Sequence, residues 1–220
     1  MNNLERLKKQ HQKLGEEYKK LGEEIEKLEN SQSEIKLYDL VKFSNLEWYI
    51  IAEDEISYTL FLKDKLSPEQ CAKHFDERFL DSDKDVRFNP NCKNIWWSDS
   101  PIRMTLNSEF LKDLDKSKME LMTTNVGIDG QSRTTEDYVR FITKEEAEKL
   151  PVEILESNYE YGYWTMSPSV FNSNSDAYEF GVSGAGELYG WSYVRVGYGV
   201  RPVIRVTKNN AVTKIENKNN

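Results

Sequence analysis

Cysteine and histidine are almost absent from this chain, two of each in 220 residues, which removes most metal and nucleophile chemistry at the outset. Cys71 and Cys92 have neither CxxC spacing nor a pair of histidines beside them, so a zinc site has no ligand set. Both are expected to be free thiols with a structural part, because cytosolic thiols stay reduced. Long apolar runs are missing too. No stretch of about 18 apolar residues exists to cross a bilayer, and the opening MNNLERLKKQ lacks the apolar core of a secretory signal. No membrane insertion is expected, and synthesis and first folding are expected in the cytoplasm. Positive charge is in deficit: 30 Lys and Arg face 38 Asp and Glu, for a net charge of -8. A grip on phosphate backbones relies on clustered cations, so nucleic acid is excluded as an expected partner.

What is present begins with a periodic helix. Leu4, Leu7, His11, Leu14, Tyr18, Leu21, Ile25 and Leu28 follow at alternating steps of three and four, with Leu at every d position of a heptad repeat. Four heptads without proline exceed the needs of a helix packed on its own domain, so self-association along this seam is expected. The g-to-e′ pairs of a parallel dimer would be Asn3 with Lys8, Gln10 with Gly15, Glu17 with Gly22 and Glu24 with Glu29, none an attractive ion pair. His11 and Tyr18 at a positions are also not the β-branched residues that favour two strands, so a trimer is expected over a dimer. Lys plus Arg balance Glu across residues 1–31, which places the whole acidity in the remainder.

After Ser33 the pattern turns to alternation. Residues 38–43, 46–52 and 57–62 read as strands of an antiparallel meander. Ser67, Pro68 and Gln70 predict a capped helix over 68–79, Ser100 and Pro101 a second helix, and Thr143 with Glu146 a third that ends before Pro151. Residues 81–93 read as a polar loop, strands return from Trp164, and a polar tail begins near 207 and is expected to fray. This order of elements predicts an α+β fold: a coiled-coil helix over 1–31, one domain over 36–206, and the tail over 207–220.

No catalytic constellation accompanies this scaffold. His74 is the sole histidine of the globular part, and Cys71, three residues away, shares its predicted helix face. The pair could be a nucleophile and base or a partial metal site, but no further ligands or oxyanion-hole glycines join it, and a half-buried helix face is the preferred reading. Asp81, Asp83 and Asp85 alternate carboxylates without the glycine and terminal glutamate of an EF-hand loop. No enzyme activity, cofactor or metal is expected.

Recognition chemistry gathers instead in residues 161–206, YGYWTMSPSVFNSNSDAYEFGVSGAGELYGWSYVRVGYGVRPVIRV, where aromatic and β-branched residues interleave with Asn, Ser, Asp and Gly. Tyr and Trp give contact area at low entropic cost while Ser, Asn and Gly adapt their hydrogen bonds. Trp164 and Trp96 are expected in the core. Tyr189, Trp191, Tyr193 and Tyr198, spaced largely by two, are expected to expose one strand face. Arg201, between Val200 and Pro202, is expected to tie buried carbonyls or a carboxylate together.

The segments WSDSPIRMTLNSEFL, DYVRFITKEEAEKLP, GYWTMSP and YGVRPVIRV, in that order, resemble domains of the C-type-lectin fold found in phage tail proteins and in the variable proteins of diversity-generating retroelements. The resemblance covers about residues 36–206. It implies a C-type-lectin-like scaffold whose framework comprises Tyr163, Trp164, Ser167, Pro168, Ala177, Phe180, Val182, Leu188, Gly199, Val200, Arg201, Pro202 and Val203. It implies display of Asn172, Ser173, Asn174, Asp176, Tyr178, Glu179, Ser183, Glu187, Tyr189, Trp191, Ser192, Tyr193, Arg195 and Tyr198 toward a cell-surface protein or glycan. The expectation is an adhesin-like, receptor-binding oligomer of a phage or prophage tail, located on the virion. The alternative is a cytoplasmic interaction or regulatory protein that captures a partner through its N-terminal helix.

Overall fold

The computed structural model describes residues 3–31, 35–90, 95–157, 162–171, 177–209 and 211–215. The chain divides into two units, 1–36 and 37–220. The first is helix α1 (Asn3–Ser31), 29 residues without a break, as the heptads predict.

The second unit begins with the predicted meander, β1 (Leu40–Phe43), β2 (Leu46–Glu53) and β3 (Ser57–Leu62), paired antiparallel. Ser44 and Asn45 close the first hairpin with φ of 48° and 63°, the left-handed pair that a two-residue turn between twisted strands requires. Helix α2 (Pro68–His74) starts on the predicted capping box, Ser67 Oγ accepting from Gln70 N while Gln70 Oε1 accepts from Ser67 N. It stops at His74, and a separate 3-10 turn over Glu77–Phe79 takes the place of the longer predicted helix. The expected loop over 81–93 is corrected within its described residues: β4 (Val86–Arg87) lies there, with Val86 and Phe88 fully buried.

Helix α3 (Pro101–Ser108), capped by Ser100, is followed by β5 (Met119–Glu120), then the hairpin of β6 (Met122–Ile128) and β7 (Gln131–Asp137), then β8 (Val139–Arg140). Two short helices come next, α4 (Lys144–Ala147) on its Thr143–Glu146 capping box and α5 (Val152–Leu155). The chain then returns to strand as β9 (Tyr163–Phe171), β10 (Ala177–Val182), β11 (Leu188–Tyr193), β12 (Gly197–Tyr198), β13 (Val203–Thr207) and β14 (Thr213–Lys214).

The main sheet runs β14-β1-β2-β3-β13-β5, with β8 also on β13, and a second sheet runs β11-β10-β9. The fold is therefore α+β with an N-terminal helix and antiparallel sheets. The expected tail needs correction in its described residues. β14 pairs with β1, Ile215 N donates to Leu40 O at 2.9 Å, and Ala211 is buried. Edge pairing is made by backbone groups, so a polar segment satisfies it as well as an apolar one.

Trp48, Trp97 and Trp164 are completely buried, each with its indole N–H satisfied, by Phe43 O, Asp137 Oδ2 and Val86 O respectively. Trp96 is buried as expected. Arg201 is also fully enclosed. Its guanidinium donates to Leu62 O (2.7 Å), Leu155 O (3.0 Å) and Ile154 O (2.7 Å), and lies 4.0 Å from the Phe61 ring centroid. The expected carbonyl tie is present, and it binds α5 to the end of β3.

Candidate functional site

The sheet β11-β10-β9 carries most of the expected display positions, and its register decides which of them face water. Glu179 pairs with Ser192 and Gly181 with Tyr189, so Phe180 stands opposite two residues, Gly190 and Trp191. One surplus residue in β11 is a β-bulge, and it breaks the alternation that spacing by two assumes. A Cβ built on Gly181 would sit 2.7 Å from Ser192 Oγ and 3.2 Å from the Tyr189 hydroxyl, so Tyr189 and Ser192 share one side. Tyr193, the next residue, takes the other.

Tyr189 and Tyr198 therefore do not join Tyr193 on an open face. Both are half-buried, their ring centroids 6.3 Å apart, and Tyr198 packs edge-on against Trp164 at 4.7 Å. Trp164 continues through Phe88 at 5.5 Å to Trp97 at 6.4 Å, so these two tyrosines end an aromatic row that starts in the core. Burial pushes the Tyr189 phenol above its ordinary range. Glu179 and Ser192 are corrected outright: both are completely enclosed and display nothing.

Exposed are Glu187, Tyr193, Arg195 and Val196. The turn from Tyr193 to Gly197 is held by Val196 N donating to Tyr193 O (3.0 Å) and Asn89 N donating to Val194 O (2.8 Å), with Val194 buried between the exposed neighbours. Arg195 stacks over the Tyr193 ring at 5.6 Å. Ser183 is half-buried. Asn172, Ser173, Asn174 and Asp176 lie outside the described residues, as do the side chains of Tyr178 and Trp191. Framework positions Tyr163, Trp164, Ser167, Pro168, Val182, Val200, Pro202 and Val203 are all buried, while Phe180 and Leu188 are half-buried.

Below the turn, Asp81 and Asp85 are occupied structurally. Asp81 Oδ1 accepts from the backbone N–H groups of Asp83 and Asp85, each at 3.0 Å, and Asp85 makes a 2.9 Å buried ion pair with Lys65. Burial nevertheless pushes the Asp85 carboxyl up, against the pull of Lys65. Among the described residues no cluster of three His, Cys, Asp or Glu side chains is placed to hold a metal ion.

Cys71 and His74 do not meet as nucleophile and base. The Cys71 thiol points at Leu66 O (3.8 Å), and burial, seconded by Asp85, pushes it up to about 12. His74 Nε2 faces Asp113 at 3.1 Å, with its ring edge-on to Phe110. Burial lowers its pKa more than Asp113 raises it.

On α1, Leu4, Leu14, Tyr18 and Leu21 are 59%, 54%, 70% and 54% exposed, and His11 is exposed beside them. A Cβ at Gly15 or Gly22 would touch nothing within 4 Å. The side chains of Leu7, Ile25 and Leu28, like Cys92, lie outside the described residues.

Two features escaped sequence reasoning. The β6/β7 hairpin was announced by Asp129-Gly130 between alternating residues, and its Arg133 stacks 4.7 Å over Trp96. Glu179 had no such announcement, since the one acidic residue of its strand reads as solvent-facing. No protein-family model matches the chain, and neither a curated protein nor a solved structure matches it. Among the described residues no helix is long and apolar enough to cross a membrane.

Proposed function

We propose that this chain is a receptor-binding, adhesin-like protein of a phage or prophage tail, built on a C-type-lectin-like scaffold and oligomerised through α1. The observation that carries the reading is the turn Tyr193–Gly197. It offers a tyrosine, a guanidinium and an exposed Val196 to solvent on a backbone pinned by buried Val194 and Asn89, which is the economy of a rigid aromatic anchor beside an adaptable polar group. Its partner is a cell-surface protein or glycan, and binding rather than catalysis is its role. A trimeric seam on α1 multiplies weak contacts into avidity. Binding of the full chain to bacterial envelopes tests this: Tyr193→Ala combined with Arg195→Ala is expected to weaken capture at least about tenfold, the loss of one anchor residue. Unchanged capture by that variant overturns the reading.

One observation favours a second reading. The exposed leucines of α1 are equally able to seat on a different protein, which would make the chain an intracellular interaction or regulatory protein. Deleting residues 1–31 separates the two: retained envelope binding supports the adhesin, and partner capture by the helix alone supports the regulator.

A further inference from the structure

The central strand of the second sheet carries a carboxyl group with no answering donor among the described residues. Glu179 is fully enclosed and, among the described residues, neither carboxylate oxygen has a hydrogen-bond partner, while the hydroxyl of Ser192, opposite it on β11, is enclosed with the Tyr189 hydroxyl beside it. Opposed residues on neighbouring strands hold their Cβ atoms about 5 Å apart, so the Glu179 carboxyl and the Ser192 hydroxyl share one side of the sheet. On the other flank the residue opposite Glu179 is Pro168, which has no N–H to donate. The missing side chain of Gly181 lets the Ser192 and Tyr189 hydroxyls close in on the same side, 2.7 Å and 3.2 Å from where its Cβ would stand.

The described cations point elsewhere. Lys144 lies over Phe180 and Arg195 over Tyr193, the residues that alternate with Glu179 and Ser192, and burial pushes the Glu179 carboxyl up. Native proteins rarely leave such groups unanswered, and an orphan of this kind points to a water or an ion that completes it. A water would satisfy the neutral acid but leaves an ionised one uncompensated. Hard oxygen donors with a single carboxylate match a guest of charge +1, since divalent ions gather several carboxylates.

We propose that Glu179, Ser192 and Tyr189 form a buried acceptor site for one monovalent cation, either a free alkali ion or the ammonium group of a bound molecule. A proton competes for the same carboxylate, so acid empties the site of its cation and rising pH strengthens cation binding. The proposal does not depend on the adhesin reading.

Thermal melts of the full chain provide the test, followed by tryptophan fluorescence, because all five tryptophans lie beyond residue 36 and report the globular unit. Tetramethylammonium chloride, whose cation has neither a bare charge nor an N–H to offer a carboxylate, is replaced at constant ionic strength by sodium, potassium or methylammonium chloride at pH 5 and pH 8. At pH 8 the wild type is expected to gain about 3 °C or more in Tm in at least one of the three, with a smaller gain at pH 5. Glu179→Gln is expected to abolish the gain, and Ser192→Ala to reduce it. A gain with sodium or potassium identifies a free ion, and one with methylammonium alone identifies an ammonium group. Equal Tm in all four salts at pH 8, or a gain that survives Glu179→Gln, overturns the proposal.

Discussion

Arg201 is a buried charge held by three carbonyl oxygens at close range and the faces of Phe61 and Tyr163, with hydrogen bonds to carbonyls in place of a contacting carboxylate among the described residues. A planar fork suits that cage and a point ammonium does not. Arg201→Lys is expected to cost about 2–4 kcal/mol in urea denaturation, because the charge stays buried while its hydrogen bonds are lost. Glu179 has the opposite problem, an enclosed acid whose pKa burial raises. Its folded pKa is raised, so its contribution to stability is fully present below the unfolded value near 4.5 and is lost as pH climbs through the folded one. In tetramethylammonium buffer the wild type should therefore lose stability from pH 5 to pH 8, and Glu179→Gln should flatten that slope and melt higher at pH 8. Cys71, buried and pushed up to about 12, should resist a maleimide in a native Cys92→Ser background and react only once unfolded. At this scale the sequence disclosed what chemistry demands locally, such as Arg201 between Val200 and Pro202, and concealed Glu179, whose side is set by its register with Pro168 and Ser192 on the two flanking strands.

Among elements, the legible ones announce themselves through short-range chemistry. Ser67 with Gln70 and Thr143 with Glu146 both form the capping boxes their spacing predicts, and Glu146 additionally holds Arg140 through both carboxylate oxygens. The β6/β7 hairpin belongs in the same class, since Asp129 and Gly130 adopt φ of 51° and 77°. Gly130→Ala is expected to destabilise the globular unit by about 1 kcal/mol, the strain of a left-handed Cβ, measurable as a lower denaturation midpoint. Tyr189 resisted prediction for a different reason. Period-two reasoning presumes an unbroken strand, and the register shift opposite Phe180 is settled by pairing with β10, which no local pattern encodes.

At the scale of the whole molecule the two units answer to different forces. The globular unit has its own buried core, and residues 37–220 are expected to fold alone with an unchanged cooperative melt. α1 has an uncovered apolar seam, and Leu14→Lys with Tyr18→Lys is expected to convert the full chain to monomer by light scattering while leaving that melt in place. A wild type that is already monomeric would remove the oligomer from the proposed function.

The surplus residue in β11 also acts as slack. If Gly190 were lost, Trp191 alone would stand opposite Phe180, while Tyr189 would still meet Gly181 and Ser192 would still meet Glu179. The strand can thus shorten by one codon without turning inside out, so length, and not only composition, is open to change at the very edge that a binding surface would need to remodel.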